Sequence, residues 1–253
     1  MDRRSFLKTG GAAAACAVAG KRQDQLEDPT EFVGVLVDTT RCIGCRSCEV
    51  ACGMAHDLHV PDVQNDGALD EERTTSERQW TVVNRYDTDA GEVFVKKQCM
   101  HCWQPACASA CLTNAMHKTK EGPVIWRSDK CMGCRFCMVS CPFDVPKFEY
   151  DSWNPRIQKC TMCWERLQQG KEPACVKACP MKALTFGPRS EMIEEARRRI
   201  HEKPDGYVHH IYGEHEAGGT SFLYLASVPF EKLGFRTDLG TTPYPDLTRE
   251  FLY

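Results

Sequence analysis

The stretch CIGCRSCEVAC, residues 42–52, sets four cysteines in the spacing C-x2-C-x2-C-x3-C. The spacing returns in CMGCRFCMVSC at residues 131–141. Looser copies occupy residues 99–111 and 160–179, the last with an 11-residue insertion before its third cysteine. In chain order the four groups are Cys42, Cys45, Cys48, Cys52; Cys99, Cys102, Cys107, Cys111; Cys131, Cys134, Cys137, Cys141; and Cys160, Cys163, Cys175, Cys179.

The spacing of the first and third groups indicates their chemistry. Two-residue gaps let one tight loop point three thiolates at a single iron–sulfur cube, as in the bacterial ferredoxin signature for [4Fe–4S] clusters. The fourth cysteine follows on a helix and points away, so it ligates the other cluster of a pair. Four groups of four cysteines therefore predict four [4Fe–4S] clusters with all 16 grouped cysteines as ligands; of the 17 cysteines only Cys16 is left over.

The N-terminus, MDRRSFLKTGGAAAAC, predicts a twin-arginine export leader over residues 1–19. Arg3 and Arg4 precede an uncharged, small-residue run that ends in the cleavage pattern AVA; the alternative is two solvated arginines. Cleavage after Ala19 removes Cys16, which is the outcome we expect. The other interpretation is lipid attachment at Cys16, although AAAAC lacks the usual large aliphatic residue.

The leader and the cysteines explain each other. Clusters are inserted in the cytoplasm, and a folded, loaded protein needs an exporter that carries folded cargo. We therefore expect a periplasmic protein, exported folded by the twin-arginine route and peripheral to the membrane.

Three other interpretations of the cysteines compete with iron–sulfur clusters. Disulfides are the default for exported cysteine-rich chains, but such chains are usually short, and a repeated three-cysteine loop fits no disulfide pattern. Zinc ribbons use C-x2-C pairs, but a third cysteine two residues later fits zinc poorly. Free thiols at this density outside the cytoplasm would oxidise.

Length and charge exclude some functions. The chain has 253 residues, enough for one large domain or two small ones, and its net charge of -3 gives no indication of nucleic-acid binding. No apolar stretch after the leader approaches the ~18 residues that span a bilayer. The longest, Ser221–Phe230, contains a proline and predicts a buried strand.

The segments between the cysteines predict an α+β fold. A β-prone run leads into the first cysteine of each group (FVGVLVDTTRC, EVFVKKQC, GPVIWRSDKC and RIQKC), and Ala183–Gly187 closes the last. We expect hairpin turns at Asp89–Gly91 and Glu121-Gly122, and a polar surface loop at residues 56–79. The pattern predicts a duplicated bacterial-type two-[4Fe–4S] ferredoxin fold, with short strands and helices around the clusters.

The C-terminal part predicts a helix, a strand and an extended arm. Ser190 is the expected cap of the helix SEMIEEARRRIHEK, whose apolar face is Met192, Ile193, Ala196 and Ile200. The final stretch LGTTPYPDLTREFLY has two prolines and no periodicity. The expected division is a four-cluster domain at 32–187, then an extension at 188–253.

The chain resembles a known family at these motifs. Four groups in this order and the stretch KCTMCWERLQQGKEPACVKACPMKALTFG, residues 159–187, are similar to the iron–sulfur (beta-type) subunits of the complex iron–sulfur molybdoenzyme family. The likeness to the formate dehydrogenase beta subunit covers about Val33–Gly187, and Tyr212–Gly234 extends it. The chain also resembles the periplasmic four-cluster subunit of membrane-bound uptake hydrogenases.

The resemblance implies a ligand set for each cluster. By this resemblance, groups one and four (42–55 plus 156–187) are expected to form one pair of clusters, and groups two and three (92–150) the other. The implied sets are A, Cys42, Cys45, Cys48 and Cys179; B, Cys52, Cys160, Cys163 and Cys175; C, Cys99, Cys102, Cys107 and Cys141; and D, Cys111, Cys131, Cys134 and Cys137.

The resemblance also implies a function. The chain is expected to relay electrons between a catalytic subunit (hydrogenase, formate dehydrogenase or molybdopterin-type) and an integral membrane, quinone-interacting subunit. Relatives of both kinds end in a membrane helix, which this sequence lacks, so we expect membrane contact through a partner. The alternatives are a stand-alone soluble periplasmic polyferredoxin and, more weakly, a structural metal module that is redox-silent.

Some residues near the cysteines have two interpretations. Lys130, Arg46 and Arg135 either raise cluster potentials or are solvated surface charges. Trp103 and Trp164 either shield clusters from water or are ordinary packing residues.

The histidines and the remaining motifs add no catalytic site. His101 is interpreted as structural, because the cysteines already fill every ligand position. His209-His210 and His215 either contact a haem or quinone or are exposed loop residues. With no nucleophilic triad, phosphate-binding loop or paired carboxylates, the chain is predicted to be non-catalytic by itself.

Overall fold

The computed structural model describes residues 32–64 and 66–251, so the leader and Cys16 lie outside the described residues. Short helices and strands alternate, as expected for an α+β protein. The helices are α1 Ser47–Ala55, α2 Ala106–Ser109, α3 Phe136–Val139, α4 Trp164–Leu167, α5 Ala174–Lys177 and α6 Arg189–Glu202. The strands are β1 Val33–Asp38, β2 Val82–Thr88, β3 Gly91–Lys97, β4 Met116–Lys118, β5 Val124–Trp126, β6 Lys147–Phe148, β7 Ile157–Gln158, β8 Leu184–Pro188 and β9 Phe222–Leu225.

A three-stranded sheet in the order β8-β1-β9 joins the two ends of the cysteine region to the C-terminal extension. Strand β1 pairs antiparallel with β8, with Val33 opposite Pro188, and parallel with β9, with Val35 opposite Phe222. All four residues of β9 are buried. The buried strand predicted within Ser221–Phe230 is therefore present, although it ends at Leu225.

Three two-stranded hairpins support the other cysteine groups. Strands β2 and β3 pair antiparallel and turn between Thr88 and Gly91, where the turn was predicted. Strands β4 and β5 turn at residues 119–123, and β6 pairs with β7. The second strand of each hairpin runs toward the first cysteine of a group, and β1 does the same for group one. Each cysteine loop therefore follows a strand that is held in place by its pairing in a sheet.

Helix α6 packs its apolar face on the three-stranded sheet. Met192 and Ala196 are buried in one cluster with Leu36 and Leu223, and Ile193 and Ile200 are partly buried beside them. The expected cap at Ser190 is wrong, because the helix begins at Arg189 and Pro188 takes the cap position without a side-chain hydrogen bond. Proline suits a helix start, since its fixed φ fits the first turn.

The inserted segment at residues 56–79 is anchored to α1. Arg73 and Gln79 donate to the buried carboxylate of Glu49 at 2.7 and 2.9 Å. The segment also contains a short 3-10 helix at Asp66–Leu69. A loop that appeared unpatterned in the sequence is therefore fixed by one buried acid.

The C-terminal segment differs from the extended arm that was expected. Residues Tyr244–Phe251 form a 3-10 helix that packs against α2. The Asp246 N–H donates to the Pro243 carbonyl at 3.0 Å. Prolines with φ fixed near -65° favour such turns over a strand.

Within the described residues, no helix combines the length and apolar character needed to cross a bilayer.

Candidate metal centres

Cysteine groups one and three have the same loop backbone. The glycine two residues after the first cysteine is left-handed in both, with φ of 69° at Gly44 and 73° at Gly133. Arg46 and Arg135 follow with φ of 58° and 62° and precede α1 and α3 directly. A Cβ on Gly44 would also lie 2.5 Å from the Phe94 ring. The left-handed turns curl the loop so that its cysteines face one side.

Groups two and four use the same turns without glycine. His101 and Met162, each two residues after a first cysteine, have φ of 49° and 54°. A second left-handed residue lies three positions after the last cysteine of groups two, three and four, and its N–H donates back to that cysteine's carbonyl. These residues are Asn114, Asp144 and Lys182, with N···O distances of 3.1, 3.2 and 3.3 Å.

The structure places four cysteines around each of two cavities. One cavity is lined by Cys42, Cys45, Cys48 and Cys179, together with Ile43 and Met181. The other is lined by Cys111, Cys131, Cys134 and Cys137, together with Met132. These are the members of sets A and D.

The remaining eight cysteines act electrostatically on one another, within the proposed sets B and C and also between them. Burial raises the pKa of Cys52, and the thiols of Cys160, Cys175 and Cys163 raise it further. Burial likewise raises the pKa of Cys102, with Cys141, Cys99 and Cys107 adding to it. These are the members of sets B and C.

Helix packing follows the same division. Helix α1 of group one packs against α5 of group four, and α2 of group two packs against α3 of group three. Helix α1 contains Cys52, the last cysteine of its group, whereas α2, α3 and α5 contain the third cysteine and end before the fourth.

The cysteine sites fit an iron–sulfur cluster better than the alternatives. None of the sixteen cysteines in the described residues forms a disulfide. In the same part of the chain, no three histidine, cysteine or acidic side chains converge closely enough to hold one metal ion. Zinc needs four ligands at about 2.0–2.3 Å from one point. Four cysteines that line one cavity, as in sets A and D, suit a cube of iron and sulfide.

Backbone N–H groups point at several cysteine sulfurs. Ala115 and Met116 donate to Cys111 Sγ at 3.2 and 3.3 Å, and Ala183 donates to Cys179 Sγ at 3.3 Å. Burial raises the pKa of Cys111, but the donors from Met116, Thr113 and Ala115 outweigh it and lower the pKa overall. These donors stabilise the thiolate that a cluster needs.

Known proteins share these features. Residues 91–189 match the 4Fe-4S dicluster domain family, and residues 1–20 match the twin-arginine translocation pathway signal sequence. A protein of Nitratidesulfovibrio vulgaris (strain Hildenborough) is 46% identical over 260 residues, covering 98% of this chain and 70% of that protein. The hydrogenase-2 operon protein HybA of Escherichia coli O157:H7 is 34% identical over 297 residues, covering 100% and 90%. The iron-sulfur subunit of nitrate-inducible formate dehydrogenase of Escherichia coli K12 is 36% identical over 208 residues, covering 79% and 70%.

The chain belongs to this family of beta-type iron–sulfur electron-transfer subunits. It is therefore a [4Fe–4S] protein, and its twin-arginine leader directs it to the periplasm.

Three lysines, of which Lys96 and Lys159 are buried and Lys118 is half-buried, lie among the cysteines of this iron–sulfur subunit, and the sequence analysis missed them. Lys96 lies near sets A and B, where it lines the set A cavity. Lys118 and Lys159 lie near set C; Lys118 donates to the Cys102 carbonyl at 2.8 Å, and Lys159 to the Cys160 carbonyl at 2.8 Å. Burial lowers the pKa of Lys118 to about 7. Their one sequence signal is position, since Lys96 lies three residues before Cys99 and Lys159 directly precedes Cys160.

The three basic residues named in the sequence analysis differ in their exposure to solvent. Arg46 is buried and lies 3.2 Å from Glu49, so its interpretation as a solvated charge is wrong. Lys130 and Arg135 are exposed, and Arg135 lies 5.4 Å from the Phe148 ring centre.

The histidines and tryptophans occupy structural positions. His101 is fully buried, and its Nδ1 accepts the Val124 N–H at 2.9 Å. Burial lowers the pKa of His101, with Lys159 adding to the effect. Trp103 packs on Phe32 at 5.1 Å, and Trp164 is partly buried. The side chains of His209, His210 and His215 are exposed.

Proposed function

We propose that this chain carries four [4Fe–4S] clusters, one in each of sets A to D, in a periplasm-facing, membrane-associated oxidoreductase complex. When bound, such clusters accept and donate single electrons. The observation that carries the proposal is the arrangement of sixteen cysteines as four sets of four, each with three cysteines that share a loop or a chain segment and one that comes from the paired group.

Electrostatic effects between cysteines of different sets support a linear order A-B-C-D. The Cys175 thiol of set B raises the pKa of Cys48 in set A, after the larger effect of burial. Cys99 of set C acts in the same way on Cys160 of set B. Burial raises the pKa of Cys107 in set C, and the nearby thiol of Cys137 in set D raises it further. The chain thus holds adjacent sets close enough to interact.

Exposure also varies along this order. The buried cysteines are Cys52, Cys163, Cys175, Cys99, Cys107 and Cys137, and all but the last belong to the inner sets B and C. Among the described cysteines, the exposed ones are Cys45 in set A and Cys134 in set D. Protein therefore excludes water from the middle of the row and leaves its two ends accessible.

Each exposed end is surrounded by apolar side chains. Ile43 and Met181 beside set A are 55% and 48% exposed. Leu112, Met132 and Val139 beside set D are 76%, 63% and 85% exposed. Exposed apolar patches mark contact with partners. Two such ends suit a chain that relays electrons between two proteins.

The partners are inferred from the relatives. HybA is named as a hydrogenase operon protein and the other relative as a formate dehydrogenase subunit. We infer a catalytic oxidoreductase subunit at one end and an integral membrane, quinone-interacting subunit at the other. The apolar ends favour this complex over a stand-alone soluble polyferredoxin.

A repeated backbone supports duplication of a two-cluster ferredoxin unit. The left-handed turns recur in all four groups, and the helices pack one with four and two with three. We propose a four-cluster domain at 32–187, with 42–55 plus 156–187 and 92–150 as its halves, and an extension at 188–253.

The test is anaerobic purification of the tagged chain from its own organism. About sixteen irons and sixteen sulfides per chain, with several interacting EPR signals during reductive titration, are expected, together with co-purification of two partners. Zinc, or no metal, would overturn the cluster assignment. A loaded monomer without partners would support the polyferredoxin instead.

A further inference from the structure

The side chain of Lys96 lies in the interior between sets A and B. Lys96 is 3% exposed and lines the set A cavity beside Cys42, Cys45 and Cys48. Burial raises the pKa of three cysteines of set B, and the positive charge of Lys96 opposes that rise at Cys52, Cys160 and Cys163. One ammonium group therefore faces the ligands of two proposed clusters.

Arg46 lines the same cavity, but the groups that Lys96 Nζ itself contacts carry no charge. Its Nζ donates to Gln98 Oε1 at 2.7 Å and lies 5.4 Å from the Phe222 ring centre. The Gln98 amide donates to the Tyr224 hydroxyl at 2.7 Å, which donates to the Lys96 carbonyl at 2.9 Å. In the part of the chain that the structure describes, no carboxylate forms an ion pair with Lys96.

A buried ammonium group needs a negatively charged neighbour. Taking a charged group out of water costs several kcal/mol, so buried charges are paired. Glu49, the nearest buried acid to act on Cys48, is already bound to Arg46 and Arg73. In the described part of the chain, the negative charge that acts on Lys96 comes mainly from the sulfurs of Cys175, Cys48 and Cys160.

We propose that Lys96 is the charge-balancing residue of the clusters in sets A and B and that it raises their reduction potentials. The proposal rests on the proposed function, because it requires those clusters. Four thiolates make a bound cluster an anion, and each added electron makes it more negative. A fixed positive charge in a low-dielectric interior stabilises the more negative state. One electron enters from the reductant; no bond forms or breaks, and Lys96 keeps its proton.

Lys97 provides a matched control in the next position of the same strand. Because side chains alternate along a strand, it points to the other face. Its Nζ lies 2.6 Å from the Glu72 carboxylate and 3.0 Å from the Gly234 carbonyl. Lys97→Met therefore removes a lysine charge from the same strand but leaves the charge beside sets A and B unchanged.

The experiment compares Lys96→Met, Lys96→Gln, Lys96→Arg and Lys97→Met in the anaerobically purified complex. Iron and sulfide are measured first, and each midpoint potential is then read by EPR during titration with dithionite. In Lys96→Met we expect one or two of the four midpoint potentials to become more negative by about 59 mV. For a one-electron step this corresponds to a tenfold change in the reduction equilibrium constant. Lys96→Arg keeps its midpoints near the wild-type values, and Lys97→Met leaves all four unchanged.

Each outcome decides the proposal. If Lys96→Met keeps its iron but shifts no midpoint further than Lys97→Met does, Lys96 does not tune the clusters. If Lys96→Met and Lys96→Gln lose iron while Lys96→Arg retains it, the positive charge is needed to hold the cluster anions, which supports the proposal. Loss of iron in Lys96→Arg as well would assign the residue to packing and overturn it. Wild-type protein without clusters would instead overturn the proposed function, before Lys96 is tested.

Discussion

The Arg199 guanidinium lies 2.9 Å from the Asp38 carboxylate, and the two side chains are 6% and 0% exposed. Asp38 is the last residue of β1, and Arg199 belongs to α6. The Tyr207 hydroxyl also donates to Asp38 at 3.0 Å. This buried pair therefore fastens the C-terminal helix to the strand that leads into Cys42.

Replacing Arg199 with leucine is expected to destabilise the protein by about 3–5 kcal/mol, because it leaves the Asp38 charge buried with less compensation. The measurement is the urea midpoint of anaerobically purified protein, followed by far-UV circular dichroism. Arg198→Leu is the control, since Arg198 forms exposed pairs with Glu195 and Glu202, and water screens such pairs so that they contribute little to stability. Equal urea midpoints for the two variants would show that the buried pair stabilises the protein no more than the exposed pairs do.

Replacing Glu49 with glutamine is expected to release residues 56–79. Its buried carboxylate accepts from Arg73 at 2.7 Å, Gln79 at 2.9 Å and the Val83 N–H at 2.5 Å. The neutral amide removes the negative charge between two guanidinium groups, at a cost of about 3–5 kcal/mol. The measurement is amide hydrogen exchange across residues 56–79, which should become faster in Glu49→Gln.

The control for that variant is Glu77→Gln. Glu77 lies in the same segment, partly exposed, and pairs with Arg78 at 3.6 Å. Its exchange should match the wild type. Unchanged exchange in Glu49→Gln would mean that other contacts hold the segment.

Local signals explain what the sequence could predict. The cysteine spacing, the strands before each first cysteine and the turn near Gly91 depend on neighbours a few residues apart. The cysteine sets were implied by family resemblance, because Cys42 and Cys179 are far apart in the chain and no local pattern links them.

Tertiary contacts explain what the sequence analysis missed. Lys96 sits in a strand, where a charged residue is normally expected to face solvent, and its cysteine neighbours come from distant groups. Helix α6 begins before Ser190 because the Arg189 side chain is held inside, donating to the carbonyls of Thr220 and Glu214 at 2.7 and 2.9 Å. The 3-10 helix at Tyr244–Phe251 separates its polar and apolar residues on opposite sides, a pattern that the sequence analysis missed.

Serine substitutions test the proposed ligand sets. Cys48→Ser and Cys179→Ser should change the same EPR signal, although the residues belong to groups one and four, because both are proposed for set A. Cys175→Ser, from the same group as Cys179, should change a different signal that it shares with Cys52→Ser. Each variant should lose one cluster or convert it to a three-iron form, measured as iron per chain.

The result that contradicts this pairing is equally specific. If Cys175→Ser and Cys179→Ser change one common signal, group four alone supplies a cluster. The control is Cys16→Ser, which lies outside the grouped cysteines and should leave iron content and every signal unchanged.

Charged substitutions at the two exposed ends are expected to remove different partners. Val139 beside set D is 85% exposed and Met181 beside set A is 48% exposed. Because a buried charge in an apolar interface is costly, Val139→Glu should weaken binding of one partner and Met181→Glu binding of the other, each by at least tenfold. The measurement is the amount of each partner that co-purifies with tagged, fully loaded chain. Val63→Glu, at an apolar position in the inserted segment that is 39% exposed, serves as the control and should keep both partners. Loss of the same partner from both end variants would contradict a relay with one partner at each end.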